Sequence, residues 1–517
     1  MATPADRPPL PPLTPACRAA VTVALSLAVF MNVLDLSIAN VAIPTIAGEL
    51  GVSADNGTWL ITSFAVCAAI AMPLTGWLAR RFGELRTFIV CTAAFTLASL
   101  LCGLSPNMPV LIAMRALQGS VSGPMIPLSQ SLLLAHYPDN RKNLALALVL
   151  MVTITAPVLG PILGGWITDN WAWEWVFYIN VPIGILATFA TAWLLRGRET
   201  PTARIPVDKI GIGLLAIGVG SLQILLDRGK DLDWFNSSTI VTLAVVAIVG
   251  LTFFVAWELT DEHPAVDLRL LRMRNFAVGT AALCLGYAVY FGNIVLLPLW
   301  LQTQMGYTAT WAGIATAPVG VLPLLLAPFV GRYMSALDLR WWVTGSFVSF
   351  AVTSFWFSGF STEVSFAEIA WSRLAQGLGL AFFFPPLLAI VISGLPQERV
   401  AGATGLANTL RTLAGSFATS LTTTAWDRRE ALHQSHLTEH VTTLDPVARG
   451  ALDHLHAIGV QGDTAYAVLE RALVQQAYML ATNELFWVWG WMLLALIVIV
   501  WFARPPFAAG ERATAAH

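Results

Sequence analysis

Four charged side chains lie deep inside long apolar runs of this 517-residue chain: Asp35, Arg115, Arg373 and Arg411. Asp35 stands about sixteen residues into the run from Ala19 to Ala47, too deep for a short side chain to reach lipid headgroups if the run crosses a bilayer. An acid there is costly unless it faces a protein interior, an aqueous cavity or a partner. Two readings are open. Asp35 is locked in a permanent ion pair, or it changes protonation or partner during a cycle. Arg115 comes from a run of opposite direction and similar depth, which makes it the candidate partner. Desolvation favours the neutral acid and a nearby guanidinium favours the anion. A site where the two compete can load and unload a proton as it opens to one side and then the other. The plainer reading of Arg115 is a packing clamp on backbone carbonyls.

The remaining candidates are weaker. Arg411 is a counter-charge for anionic substrates or a bond to a broken helix. Asn40, Tyr290, Asn293, Phe383 and Asn408 are candidates to line a cavity, with simple packing as the alternative for the aromatic residues. Gly160, Pro161, Gly164 and Gly165 permit close helix approach, and Pro161 lacks the N–H that would complete a helical ladder. They read as small-residue packing or as a hinge. The five cysteines have no metal-ligand spacing and read as small core residues. Five of eight histidines crowd into residues 425–482, where a solvated polar helix pair explains them better than a metal. No HExxH, nucleophile elbow or phosphate loop appears, and no basic tract suggests nucleic acid.

The elements that must position these residues are helices in a membrane. Apolar residues make up 56% of the chain and charged residues 11%, and the mean hydropathy is +0.70. Soluble domains carry roughly twice that charge. The sequence resolves into fourteen apolar runs, at 19–44, 57–79, 87–104, 109–135, 144–168, 174–195, 209–227, 238–258, 275–301, 309–331, 341–360, 366–394, 401–424 and 483–502. Lipid cannot satisfy open backbone groups, so the runs are expected to be helices. Most of the Lys and Arg fall in alternate connections, which places both termini on the cytoplasmic side.

A repeat fixes the expected architecture. Arg115, Gln118, Gly119, Pro127, Pro138 and Arg141 recur as Arg373, Gln376, Gly377, Pro385, Pro396 and Arg399 at an offset of 258, and Pro73 and Gly76 recur as Pro328 and Gly331 at 255. The expected plan is an all-α polytopic protein with a polar leader at 1–18, a six-helix half at 19–195 and two extra helices at 209–258. A second six-helix half follows at 275–502, then a cytoplasmic tail at 503–517. Parallel halves of this kind place a site between them. Residues 425–482 are too long for a connector. Asp445-Pro446 and Gly459 bracket a short helix there, and a second is expected to start after Asp463.

Several segments resemble a known family. PLTGWLARRFGELR, with Gly76, Arg80, Arg81, Gly83 and Arg86, is similar to the loop signature of the major facilitator superfamily, although Ala79 replaces its usual acid. RALQG at Arg115–Gly119 and APVLGPILGG at Ala156–Gly165 resemble the fourth-helix and antiporter signatures. LDLSIANVAIP at Leu34–Pro44 resembles the first-helix signature of the fourteen-helix drug:proton antiporters. LDRGKDLDWF, YTATWAGIATAPVG and RTLAGSFATSLTTTAW narrow the likeness to the EmrB and FarB type. The resemblance implies export of lipophilic toxic compounds across a bacterial inner membrane, with a proton gradient as energy source and no cofactor. It also implies a periplasmic EmrA-like adaptor and a TolC-like outer-membrane channel, with residues 425–482 as the docking surface. It implies that the Gly160–Gly165 glycines seal the contact between halves. The loop arginines then clamp one state, through Asp139 or Glu84, or they merely set topology. A fatty-acid exporter is the nearest alternative, and an uptake carrier is a more distant one.

Overall fold

The computed structural model describes residues 13–52, 57, 59–138, 141–203, 206–262, 264–334, 336–441 and 445–507. Most of the leader, the end of the tail and Asp139 lie outside them. The described residues form helices with no strand. In chain order these are α1 (Pro15–Glu49), α2 (Trp59–Ala71), α3 (Thr75–Phe82), α4 (Glu84–Gly103), α5 (Met108–Ser122), α6 (Met125–His136) and α7 (Lys142–Asn170). Then come α8 (Trp175–Tyr178), α9 (Asn180–Leu194), α10 (Lys209–Arg228), α11 (Ser238–Thr260), α12 (Arg274–Thr303), α13 (Ala309–Thr316), α14 (Val321–Tyr333) and α15 (Leu339–Phe357). The series ends with α16 (Phe366–Ala381), α17 (Phe384–Ile392), α18 (Gln397–His440), α19 (Pro446–Ala457) and α20 (Asp463–Val500).

Each of the fourteen apolar runs is mainly helical among the described residues. Among the described residues nine helices are long and apolar enough to cross a membrane, or ten when the pair α2 and α3, bent by 58°, counts as one span. The run at 109–135 breaks at Gly123-Pro124 into α5 and α6, and α18 is rich in Thr and Gly. Boundaries follow capping chemistry. Thr14, Asn107, Ser365 and Asp445 each accept a backbone N–H of the first turn.

The segment after 425 is helical, and it extends further into its neighbours than the sequence suggests. The run at 401–424 belongs to a 44-residue helix, which at 1.5 Å per residue spans about 66 Å, roughly twice a hydrocarbon core. Together with α19 and the start of α20 it forms a stalk beyond one end of the bundle. Its base is fastened by Arg429 to Glu484 at 2.6 and 2.7 Å, by Gln475 to the Gln304 carbonyl at 2.8 Å, and by Asn483 to the Phe360 carbonyl at 2.9 Å. At the opposite, far end the halves meet through glycines. A Cβ on Gly76 would lie 2.7 Å from the Gly402 Cα, and one on Gly331 would lie 2.7 Å from the Leu144 Cα. The two approaches are repeat-mates, since Gly76 and Gly331 differ by 255 and Leu144 and Gly402 by 258.

Candidate functional site: a buried acid with three donors

Gly119 is what lets α5 lie against α2. A Cβ there would fall 2.3 Å from the Phe64 carbonyl oxygen, so only glycine permits the approach. At that distance Arg115, one turn earlier on α5, donates from Nε to the Leu60 carbonyl at 3.1 Å and lays its guanidinium 4.4 Å from the Phe64 ring. Arg115 and Gln118 share a face of α5 by their i,i+3 spacing. Both reach Asp35 of α1. Arg115 Nη1 donates to Oδ2 at 2.6 Å, and Gln118 Nε2 donates to Oδ1 at 3.1 Å. Asn180 of α9 adds a third donor, Nδ2 to Oδ1 at 2.7 Å. Asn180 is in turn set by Ser99 of α4, whose hydroxyl donates to the Phe177 carbonyl. Asp35, Arg115, Gln118 and Asn180 are fully buried.

Three helices therefore meet at one carboxylate, and α2 and α4 hold its donors from behind. In a dry interior an anion persists only when it is paired and its lone pairs are taken up, and here both conditions hold. Neutralising the carboxyl would leave Arg115 without its counter-charge, although the unprotonated oxygen would still accept. Arg115 both pairs with the acid and clamps a backbone carbonyl. Asn180 and Ser99 escaped the sequence reading, although a lone Asn in the apolar stretch Val176–Leu194 was a signal.

The second half carries a neutral copy. Arg373 Nη1 donates to Asn293 Oδ1 at 2.6 Å and bonds Gln376. Asn293 is separated from Asp35 by 258, the same offset that relates the arginines and the glutamines. Ser354, at 255 from Ser99, lines a small gap beside it with Tyr290, Phe350 and Gln376. Gly377 meets the Val319 carbonyl as Gly119 meets that of Phe64.

The other candidates scatter. Asn40 is exposed on α1, apart from the buried cluster. Tyr290 stacks on Phe350, and Phe383 is fully buried among Phe347, Phe350 and Phe384, so in this state it packs the core and lines no opening. Asn408 joins the halves, donating to Gln130 Oε1 at 3.3 Å. Arg411 lies over Tyr287 and Phe384, and its Nε has no partner among the described residues.

The Asp139 half of the proposed arginine clamp lies outside the described residues, and Glu84 is buried and accepts from Ser131 Oγ at 2.8 Å. Glu199 folds over Gly83, at φ +93°, and accepts from the Leu85 and Arg86 N–H groups, with the Arg86 side chain 3.9 Å away. Arg80 bonds the Gly76 carbonyl, and Arg81 lies over Trp77 and Phe82. The α7 glycines lie mainly against α1, in the same half. A Cβ on Gly160 would lie 2.1 Å from Ser37 Oγ and one on Gly164 would lie 3.1 Å from the Ile38 carbonyl, whereas only Gly165 faces the other half, at Thr310. α7 runs unbroken through Pro161, whose side chain lies outside the described residues.

Residues 25–419 match the family described as Major Facilitator Superfamily. The chain belongs to that superfamily. It is a multi-pass membrane transporter, and the family is not one of enzymes. It is 51% identical over 507 residues to the Multidrug export protein EmrB of Escherichia coli K12, covering 98% of this chain and 99% of that one. It is 47% identical over 500 residues to the Fatty acid resistance protein FarB of Neisseria gonorrhoeae, covering 97% and 99%. Among solved structures the proton:xylose symporter XylE superposes with a TM-score of 0.61 at 14% identity, over 96% of this chain and 98% of that one, a likeness of fold alone.

Proposed function

We propose that the protein is a proton-coupled antiporter that exports lipophilic toxic compounds across a bacterial inner membrane, with both termini cytoplasmic. The observation that carries this is Asp35, a fully buried acid enclosed with Arg115, Gln118 and Asn180. Substrate and proton need not touch. A proton arriving at Asp35 frees Arg115, α1 and α5 readjust, and the central cavity changes side. Two relatives, named for multidrug export and fatty acid resistance, support lipophilic cargo. The energy source is the proton gradient. The stalk is the docking surface for a periplasmic adaptor, which hands cargo to an outer-membrane channel. Exposed Val447, Ile458, Tyr466 and Val468 give the stalk the apolar surface such a partner would cover.

A second reading, export of fatty acids, rests on Arg411, a nearly buried cation between two aromatic rings that could receive a carboxylate. Everted vesicles test both. A lipophilic dye should accumulate when an inward-acidic gradient is imposed and stop when the gradient is collapsed. A labelled long-chain fatty acid competing through Arg411, and losing competition in Arg411→Gln, would favour the second reading. Uptake indifferent to the gradient would overturn proton coupling.

A further inference from the structure

The hairpin of α10 and α11 sits between the two repeats in sequence, and α10 sits between them in space. One side of α10 packs on α2, where Gly220 faces Val66 and Ile70. From its other side polar groups reach α18. Gln223 and Ser416 bond reciprocally, Nε2 to Oγ at 2.9 Å and Oγ to Oε1 at 3.2 Å, and Gln223 is 2% exposed. Gln223 Nε2 also donates to Asp227 at 3.0 Å, and Asp227 bonds Thr62 of α2. Nearer the stalk, Ser420 donates to the Leu226 carbonyl, Trp234 Nε1 donates to Thr424 at 3.0 Å, and Lys230 pairs with Asp427 at 2.9 Å. A polar chain Thr62–Asp227–Gln223–Ser416 thus crosses from one half to the other through the inserted helix.

The repeat shows why this matters. It relates the seam of α2 and α3 with α18 to the seam of α13 and α14 with α7. At the far end both seams close directly, at Gly76 with Gly402 and at Gly331 with Leu144. Toward the stalk they differ. α13 packs on α7 with Gly165 facing Thr310, whereas the 58° bend carries α2 away and α10 occupies the space between α2 and α18.

We infer that α10 is a wedge specific to the state in which the far end is closed, and that the Gln223–Ser416 pair is its latch. This deepens the alternating cycle proposed above and rests on it. When the far end opens, the stalk-side portions of α2 and α18 must approach, and α10 must leave the seam and exchange those hydrogen bonds. Interhelical hydrogen bonds in a bilayer are individually modest, so a set of them biases one state and still opens within a cycle.

The test places Gln223→Cys and Ser416→Cys in a background with the native cysteines replaced, with Thr75→Cys as reporter at the far end in a parallel single-site and triple-site set. Thr75 is fully buried against Gly405. With the 223–416 disulfide formed, a membrane-impermeant maleimide should label position 75 several-fold more slowly than after reduction, and dye export should stop and return with reductant. Gln223→Leu, which breaks the latch without a thiol, should speed labelling of Thr75→Cys. Equal labelling of oxidised and reduced protein with the disulfide complete, or labelling unchanged by Gln223→Leu, overturns the latch. Labelling needs neither substrate nor gradient. A failure of the export reading would appear separately, as reduced protein that exports nothing while the labelling still decides the latch.

Discussion

Asp35 and Asn293 occupy equivalent places, each bonded to an arginine eighty residues on in sequence, and they differ by one ionisable oxygen. The second half therefore demonstrates that an asparagine fits this pocket beside an arginine and a glutamine. Asp35→Asn should insert and melt close to wild type in detergent and yet lose gradient-driven efflux. Near-normal efflux at matched expression would remove Asp35 from coupling. Arg115→Ala is a different perturbation, since it leaves a buried carboxylate with two amide donors and no counter-charge. Breaking one side of a buried pair costs about 3–5 kcal/mol, so this variant should unfold at clearly lower temperature or denaturant than Asp35→Asn. Asp35 and Arg115 were legible in the sequence because charge is rare in apolar runs. Asn180 and Ser99 were not, because small polar residues are common in such helices and only the fold brings these two to the acid.

At the scale of elements, α1 is placed by what α7 lacks. Gly160 and Gly164 let α7 approach α1 at Ser37 and Ile38, two and three residues beyond Asp35. Close packing at these glycines was legible from their spacing, but which helix they receive depends on how the helices wind in the bundle. Spacing along one helix cannot reveal that. A methyl group on Gly160 meets Ser37 itself and must push α1 outward, carrying the carboxylate with it. Overpacking of this kind costs about 1–3 kcal/mol. Gly160→Ala should therefore lower the melting temperature and slow proton-driven efflux, whereas Gly165→Ala, with only Thr310 at 4.0 Å, should melt like wild type. Equal melting of the two would mean that α1 has room to spare. The stalk was half legible. Asp445 and Gly459 announced α19, since a cap and a positive φ are local chemistry. The continuation of α18 to His440 was hidden because hydropathy falls at the membrane boundary while helical structure does not.

For the whole molecule the repeat is the organising fact, and it reaches further than the identities that disclosed it. Offsets of 255 and 258 relate the arginine clusters, the glycine contacts that bring α5 to α2 and α16 to the turn at Val319, and the far-end contacts between halves. A two-fold relation of this kind means that neither far-end seam is special. Each is a glycine on one half meeting backbone of the other within 2.7 Å of a would-be Cβ. Backbone cannot yield as a side-chain tip can, so Gly76→Ala and Gly331→Ala should each force the far end apart. Although 255 positions separate them, both should raise thiol labelling of a cysteine at Thr75 and shift the balance toward a protein open at that end. The buried cluster at Asp35 lies off both seams, so protein stability in detergent should fall less than in Arg115→Ala. If only Gly76→Ala opened the far end, the two halves would not share the closure equally, and the α7 seam would be a fixed hinge with the α18 seam as the moving gate.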